Sequence, residues 1–344
     1  MRAPGVTTLL ALVVLAGCSG TADTIAPTPT PTSAPAEPVV VAISIDGLNP
    51  DAITTLGPEG APHLWRLIDE GASTLNARTA FERTSTLPNH TGMITGRHVD
   101  GPDGDSVTFN DDNGSTLAAV HGSYVPSMFD IAHDAGLKTA LFAEKDKFRF
   151  LVRSFDKNHG AEDVTGGNDG PDKIDLAAIE PSDTLVGRVV EAVTTQDAEL
   201  VFWHIKAPDA AGHAKGWLSK AYLAAVQDAD DQVGQLLDAL DEDPDVAARS
   251  TIVLTADHGG VQGARLHTDA TALADYRIPF IAWGRDVAAG ADLYDLNTAF
   301  ADPGTARPDY SGPQPIRNLD LADTALRLLD LPALADAGKT VRLR

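Results

Sequence analysis

Carboxylate and imidazole side chains stand where apolar runs of the sequence end. Asp46 directly follows the run Val39 to Ile45, and Asp257 and His258 come just after the run Thr251 to Thr255. Asp and His are natural ligands of zinc, and a mixture of carboxylate and imidazole is more typical of catalytic than of structural sites. The pattern therefore indicates a hydrolytic centre that depends on metal ions.

A second set of such residues lies further along the chain. Asp209 and His213 are four residues apart, so both side chains can face one cavity. His267 follows His258 after a glycine-containing stretch that allows the chain to return to the same cavity. We expect two metal positions, the first formed by Asp46, Asp257, His258 and the oxygen of Thr86, and the second formed by Asp209, His213 and His267.

Thr86 supplies a hydroxyl group just before Pro88, a residue that can open a helix. A hydroxyl at that point lies near the positive end of the helix dipole, where an anion is stabilised. The segment Thr-Leu-Pro-Asn at 86–89 could instead be no more than a turn into a helix. Combined with strand ends that carry Asp and His, however, the hydroxyl completes the set of groups that a two-metal hydrolytic site requires.

The elements that must position these residues alternate between strand and helix. Continuous apolar runs predict buried strands, and amphipathic stretches between them predict helices. The predicted strands are 39–45, 139–143, 199–205, 251–255 and 278–283, and the predicted helices are 61–70, 125–135, 183–194, 219–240 and 319–329. This order predicts an α/β fold with a doubly wound, mostly parallel sheet and helices on both faces, whose sites gather at the carboxyl ends of the strands.

The N-terminus has the features of a bacterial export signal. Arg2 precedes a short apolar segment, and the sequence Leu-Ala-Gly-Cys that ends at Cys18 resembles a lipobox, in which the cysteine is lipidated. We therefore predict a lipoprotein signal peptide over residues 1–18, a tether rich in Pro and Thr over 19–38, and a catalytic domain over 39–344. The expected location is the outer face of a bacterial membrane in the cell envelope, held by a lipid anchor.

Charge and cysteine content exclude several classes of partner and site. The formal net charge is −23, which argues against a nucleic acid polymer as partner but leaves room for a small phosphate ester or nucleotide bound near metal ions. Cys18 is the only cysteine, so the chain forms no internal disulfide and has no cysteine left for a metal site. The sequence does not indicate an oligomeric state.

These motifs together resemble the alkaline phosphatase superfamily, and within it the type I phosphodiesterase/nucleotide pyrophosphatase branch. The resemblance extends from about residue 40 to residue 267. It is carried by the segments 43–48, 86–90, 95–96, 109–110, 208–213 and 256–259. In the best-known pyrophosphatases the last histidine ligand lies far downstream of the Asp-His-Gly motif, whereas no histidine follows His267 in this chain. Either His267 takes that place or the second metal position lacks this ligand.

The resemblance implies a particular reaction. In the implied reaction the substrate phosphate would bridge two divalent ions, zinc in this family, and Thr86 would attack phosphorus to form a phospho-threonine that water then hydrolyses. Asn110 matches the family asparagine whose side-chain amide donates to a phosphoryl oxygen. The expected activity is that of a phosphodiesterase or nucleotide pyrophosphatase.

Two lysines leave the substrate class open. Lys145 and Lys147 occupy the position of a Lys-Asp-Arg motif with which some phosphomonoesterases of the superfamily bind the doubly charged phosphate. They are either part of the catalytic site of a phosphomonoesterase or a solvated charge cluster. A non-enzymatic alternative is a surface lipoprotein that keeps the fold and has lost catalysis. A sulfatase would need Cys or Ser in place of Thr86.

Overall fold

The structure is a computed structural model that describes residue 1, residues 8–11 and residues 37–344 except 168, 181, 336 and 337. The chain divides into two compact units, Met1–Pro35 and Ala36–Arg344. In the first unit, the described residues are exposed and belong to no helix or strand. Cys18 and the tether up to residue 36 lie outside the described residues. Over the described part of the chain, no helix has both the length and the apolar character needed to cross a membrane.

One sheet organises the second unit. Its eight strands in the described residues, named β1 to β8 in chain order, are Val39–Ile45, Ala72–Arg78, Thr139–Ala143, Leu176–Ile179, Leu200–Ile205, Ser250–Thr255, Arg277–Gly284 and Ala291–Asp292. Their order across the sheet is β4-β3-β5-β1-β6-β7-β2-β8. β4, β3, β5, β1 and β6 run parallel to one another. The predicted fold class is confirmed.

The helices pack in two groups. In the described residues α1 to α13 are Pro50–Gly60, Pro62–Glu70, Thr86–Thr95, Leu117–His121, Met128–Asp134, Arg149–Ser154, Ser182–Thr194, Ala207–Lys215, Lys220–Glu242, Pro244–Ala247, Leu273–Tyr276, Leu293–Leu296 and Leu321–Leu328. Helices α1, α2, α7, α8 and α10 pack against the long helix α9, whereas α3, α5 and α13 pack against one another. Short 3₁₀ turns occur at Asp146–Phe148 and Asn318–Asp320.

β1 lies in the centre of the sheet, between β5 and β6, and this position explains why a site forms at its carboxyl end. All seven of its residues are buried, and it pairs with β5 on one side and with β6 on the other. Strands with such a nearly continuous apolar sequence occur in sheets whose two faces are both covered. The carboxyl ends of the three strands consequently meet at one edge of the sheet, where polar residues are expected to form a site.

One predicted strand has a different direction from the one expected. The run 278–283 was expected to be a parallel strand, but β7 is antiparallel to both β6 and β2. Both faces of this strand are buried, so its sequence is continuously apolar whichever way it runs. The direction depends on the connection from β6, which contains only the short helix α11 rather than a long crossover helix.

Local capping chemistry shifts some element boundaries. The helix expected over 125–135 spans only Met128–Asp134, because Ser127 caps its N-terminus and forms a reciprocal capping box with Asp130. β2 was not predicted, since Ser73, Thr74 and Asn76 interrupt its apolar character. β2 nevertheless pairs with β7, because neighbouring strands supply the partners for its backbone groups.

Candidate active site

Three aspartates meet at the carboxyl ends of the central strands. Asp46 follows β1, Asp209 lies in the first turn of α8 after β5, and Asp257 lies two residues beyond the end of β6. Backbone contacts hold these segments together, because the Asp209 N–H donates to the Asp46 carbonyl at 3.0 Å and the Gly47 N–H donates to Asp257 Oδ1 at 2.9 Å. All three carboxylates are buried. Their mutual repulsion in a buried site requires nearby positive charge.

Gly47 allows the first strand to approach α8 closely. Its φ of 69° lies in the left-handed region, and a Cβ atom at this position would be 3.1 Å from Asp209 Cα. The Gly47 carbonyl accepts hydrogen bonds from Trp217 Nε1 and from the Tyr222 hydroxyl, both buried. A larger residue would strain the backbone and separate Asp46 from Asp209.

Two histidines are oriented so that one ring nitrogen remains available as a ligand. His258 Nδ1 donates to the Gly259 carbonyl at 2.9 Å, and His213 Nδ1 donates to the Arg265 carbonyl at 2.8 Å. A carbonyl can only accept, so Nδ1 carries the proton in both rings and Nε2 can present a lone pair. This arrangement is the usual one for metal-binding histidines.

The distances identify which predicted ligands lie together. His258 Nε2 lies 3.3 Å from Asp257 Oδ2 and 3.7 Å from both Asp46 Oδ1 and Asp209 Oδ1. Asp209 Oδ1 also lies 3.3 Å from His213 Nε2 and 3.9 Å from His267 Nε2. His258 therefore lies between the two predicted metal positions instead of belonging to the first alone.

The side chains that lie closest together form two groups, and these groups differ from the two predicted metal positions. Asp46, Asp257 and His258 offer atoms that all lie within 4.8 Å of one another, and so do Asp209, His258 and His267. His213 reaches Asp209 from a more exposed position. The structure thus brings all six predicted Asp and His ligands to one place while regrouping them around His258.

Unpaired polar atoms at this place fit divalent cations. Asp46 Oδ1, Asp209 Oδ1, Asp257 Oδ2 and His258 Nε2 are buried and have no hydrogen-bond partner in the described structure. Leaving such atoms unpaired costs roughly 1–3 kcal/mol for each group, and more for charged groups. Because these atoms converge and are of the types that zinc prefers, the donor set fits one or two such ions.

The pKa directions follow from the same crowding. Burial, reinforced by the negative charge of Asp46, raises the pKa of Asp257 to about 7. Burial would also raise the pKa of Asp46, but Lys145 and His204 outweigh it and lower that pKa well below its usual value. Burial and the nearby His258 lower the pKa of His267 to about 3, so His267 is neutral at physiological pH and suited to ligation.

Thr86 is the first residue of α3, and its side chain is buried next to a cation. Ser85 precedes it as the N-cap residue in an extended conformation. Lys145 Nζ lies 3.3 Å from Thr86 Oγ1 and 2.6 Å from both Asp46 Oδ2 and Asp209 Oδ2. Burial would lower the pKa of Lys145, but the two carboxylates raise it, so the ammonium group stays charged beside the hydroxyl.

Asn110 and Lys147 border the same region. Asn110 Oδ1 accepts the N–H of Leu87 at 2.9 Å, which directs the amide nitrogen of Asn110 away from that backbone and leaves it free to donate elsewhere. Lys147 is half-buried on the 3₁₀ turn that follows Lys145. Burial, followed by the charge of Lys145, lowers the pKa of Lys147.

Sequence reasoning missed two buried histidines beneath the site, His90 and His204. His204 donates to Asp46 and His90 contacts the Thr86 carbonyl. One signal was present in the sequence: His204 interrupts the otherwise apolar strand β5, and a polar residue at a fully buried strand position must have a specific partner.

A protein-family model matches most of this chain. The model of the Metalloenzyme superfamily matches residues 16–307. No match was found among curated proteins.

Solved structures share the fold at low sequence identity. Murine ectonucleotide pyrophosphatase/phosphodiesterase 5, in an inactive form with AMP, has 14% identity and a TM-score of 0.60, over 88% of this chain and 97% of that one. The lipoteichoic acid synthase LtaP from Listeria monocytogenes has 14% identity and a TM-score of 0.60, over 89% and 75%. The candidate sulfatase yidJ from Bacteroides fragilis has 17% identity and a TM-score of 0.56, over 87% and 75%.

Proposed function

Because this chain belongs to the Metalloenzyme superfamily and has the fold of its alkaline phosphatase-like hydrolases, we propose that it hydrolyses phosphoric esters at a two-metal site with Thr86 as nucleophile. The observation that carries this proposal is the position of Thr86 Oγ1. It lies at the start of α3, 3.3 Å from Lys145 Nζ, whose ammonium group also touches Asp46 and Asp209. A phosphoryl group bound there would meet a helix N-terminus, a cation and a hydroxyl together.

The proposed reaction has two steps. Thr86 Oγ forms a bond to phosphorus while the bond to the ester oxygen breaks, and the hydroxyl proton passes to the leaving oxygen, giving a phospho-threonine and an alcohol. Water then attacks phosphorus, the bond between phosphorus and Thr86 Oγ breaks, and a proton from the water restores the Thr86 hydroxyl as phosphate or a phosphate monoester is released. Zinc or a similar ion, held by the Asp and His ligands, would lower the pKa of the hydroxyl and stabilise the leaving oxygen.

The residues of the chain have separate tasks in this reaction. Lys145 places positive charge beside the nucleophile, where it attracts the phosphoryl oxygens. Asn110, with its oxygen engaged by Leu87, can direct its amide N–H at one of those oxygens as a preorganised donor. The backbone contacts around Gly47 keep the aspartates in place so that little reorganisation is needed.

Within this class the resemblance favours diesters, as in phosphodiesterases and nucleotide pyrophosphatases, but one observation favours monoesters. Lys145 is a half-buried cation 3.3 Å from the proposed nucleophile, and Lys147 is close enough for the charge of Lys145 to lower its pKa. A monoester dianion gains more from two adjacent cations than a diester monoanion does. Phosphomonoesterase activity is therefore the second candidate. The third is a surface binding protein that has kept the fold and lost catalysis.

Replacing Lys145 by Met distinguishes the first two candidates. We expect the Lys145→Met variant to lower kcat/KM for p-nitrophenyl phosphate by about 100-fold, since it removes the proposed charged contact to the phosphoryl group, worth about 3 kcal/mol. For bis-p-nitrophenyl phosphate we expect a smaller loss. The measurement is the ratio of the two kcat/KM values in zinc-loaded wild type and variant.

The control for this experiment is Lys157→Met, which removes an exposed lysine away from the site. It should leave both rates unchanged. Equal losses of the two activities in Lys145→Met would contradict a role in selecting monoesters, and metal content measured alongside would reveal whether the variant has instead lost its ions. Absence of chelator-sensitive turnover on either substrate in the wild type would favour the binding-protein alternative.

We further propose that the chain is exported and anchored through Cys18, as the lipobox-like sequence suggests. When it is expressed in bacteria fed with a labelled fatty acid, the wild type should be labelled and enter the detergent phase, whereas Cys18→Ser should do neither. A Ser19→Ala variant serves as the matched control, because it changes the next residue and keeps the thiol. Labelling of Cys18→Ser would contradict the assignment.

A further inference from the structure

His204 forms a hydrogen bond to Asp46, an aspartate of the first proposed metal position. It is fully buried in β5, and its Nε2 lies 2.8 Å from Asp46 Oδ2. The carboxylate of Asp46 is ionised and can only accept, so Nε2 is the donor. The other ring nitrogen, Nδ1, accepts the backbone N–H of Glu144 at 3.3 Å. Both nitrogens are therefore engaged, and the ring has one orientation.

His90 holds the first turn of the nucleophile helix in the same manner. It lies one turn after Thr86 in α3, and its Nδ1 lies 2.7 Å from the Thr86 carbonyl, to which it must donate. Its Nε2 then accepts from the Ser44 hydroxyl at 2.8 Å. Ser44 belongs to β1 and precedes Asp46 by two residues. His90 thus ties the backbone of the proposed nucleophile to the strand that carries a proposed metal ligand.

The two histidines form one packed layer. Their ring centroids are 5.0 Å apart in an edge-to-face arrangement, and Phe148 contacts both, at 4.8 Å from His90 and 4.4 Å from His204. All three side chains are buried. A rotation of either imidazole would break its hydrogen bonds and disturb this packing, so the layer is rigid.

The layer is not itself a metal site, although Asp46, His90 and His204 offer ligand atoms within 4.8 Å of one another. A neutral imidazole has one lone pair. His90 uses its lone pair to accept from Ser44, and His204 uses its lone pair to accept from Glu144. Neither ring can ligate an ion without losing a buried hydrogen bond.

We propose that His204 and His90 are positioning residues, of which His204 fixes Asp46 for metal binding and His90 fixes Thr86 relative to β1. The inference rests on the proposed function, since it assigns the histidines to that metal site and that nucleophile. With Oδ2 held by His204, Asp46 directs Oδ1 towards His258 Nε2, 3.7 Å away. Outer groups of this type align the ligands and thereby increase metal affinity.

Two substitutions at residue 204 separate the hydrogen bond from the packing. His204→Phe keeps a ring of similar size but removes the N–H, and we expect it to weaken zinc affinity by about 10–100-fold. His204→Gln keeps an N–H donor that can reach Asp46, and it should recover most of that loss. Zinc affinity is measured by competition with a chromophoric chelator, and the melting temperature is recorded for each protein after chelation.

Phe202→Leu is the matched control. Phe202 lies two residues away on the same buried strand, and its ring contacts His90 and Phe148 at centroid distances of 6.1 and 6.4 Å. Its loss should lower the melting temperature while leaving zinc affinity within about threefold of wild type, because no donor to the aspartate is removed. The proposal is overturned if His204→Phe binds zinc as wild type does, or if His204→Gln is no better than His204→Phe.

The role proposed for His90 is tested by turnover rather than by zinc affinity. His90→Phe should leave zinc affinity nearly unchanged and lower kcat by about 100-fold, the scale of a misplaced reacting group. His90→Gln, which keeps an amide able to bond the Thr86 carbonyl, should be much closer to wild type. Equal kcat in His90→Phe and wild type overturns this half. A wild-type protein that binds no zinc contradicts the proposed function instead, and the two failures are thereby distinguished.

Discussion

Replacing Thr86 by Ala is expected to lower turnover of phosphate esters by at least about 10³-fold, equivalent to about 4 kcal/mol of transition-state stabilisation. The hydroxyl is the only proposed acceptor of the phosphoryl group, and Ala keeps the helix while removing that oxygen. Metal content should survive, since the Asp and His ligands are untouched. The measurement is kcat/KM with zinc content determined on the same sample.

Two further variants make this result specific. Thr91→Ala removes a second buried hydroxyl of α3, which only donates to the Leu87 carbonyl, and it should retain turnover close to wild type. Thr86→Ser keeps a nucleophilic oxygen and should retain a measurable fraction, with a phosphorylated residue that can be trapped by acid quench. Turnover of Thr86→Ala within tenfold of wild type would contradict the assignment of Thr86 as the nucleophile.

Removal of the metal is expected to have the second large effect, on both activity and stability. Asp46, Asp209 and Asp257 are buried together, and Lys145 contributes one positive charge to them. Ions that bind only the folded state at about 1,000 times their Kd stabilise it by about 4 kcal/mol. Treatment with a chelator should therefore abolish turnover and lower the melting temperature by several degrees, and added zinc should reverse both changes.

The source of that shift can be assigned with two variants. Asp257→Asn removes the charge of a proposed ligand, so zinc should raise its melting temperature much less than it raises that of the wild type. His159→Ala removes an exposed histidine that pairs with Asp156 outside the site, and it should respond to zinc as wild type does. An equal zinc response in Asp257→Asn and wild type would mean that the ions bind elsewhere.

Much of the architecture could be predicted because buried strands leave a clear sequence pattern. Continuous apolar runs located β1, β3, β5 and β6, and the parallel sheet follows from their alternation with helices. The Asp and His residues of the candidate site could be located because they follow such runs, and sites in parallel sheets gather at the carboxyl ends of the strands. Their assembly then followed from the rule that the carboxyl ends of parallel strands share an edge.

Other features depend on tertiary contacts that the local sequence does not encode. The sequence left open whether Lys145 is a catalytic residue or a solvated charge, because its position between Asp46 and Asp209 results from the pairing of β3 with β5, which aligns Ala143 with His204. The central place of His258 depends on the turn after β6, and the reversed direction of β7 depends on a short connection. Each of these is decided by packing between distant segments.

The order of the strands also has a consequence for how the chain reaches its folded state. Asp46 is 158 residues from His204, and Gly47 is 210 residues from Asp257, yet each pair is joined by a direct hydrogen bond. Contacts of such long separation close large loops and form slowly. Metal ions held by residues that follow β1, lie in α8 and follow β6, as proposed, would not nucleate folding. They would bind once the sheet is complete, so they should slow unfolding far more than they speed refolding.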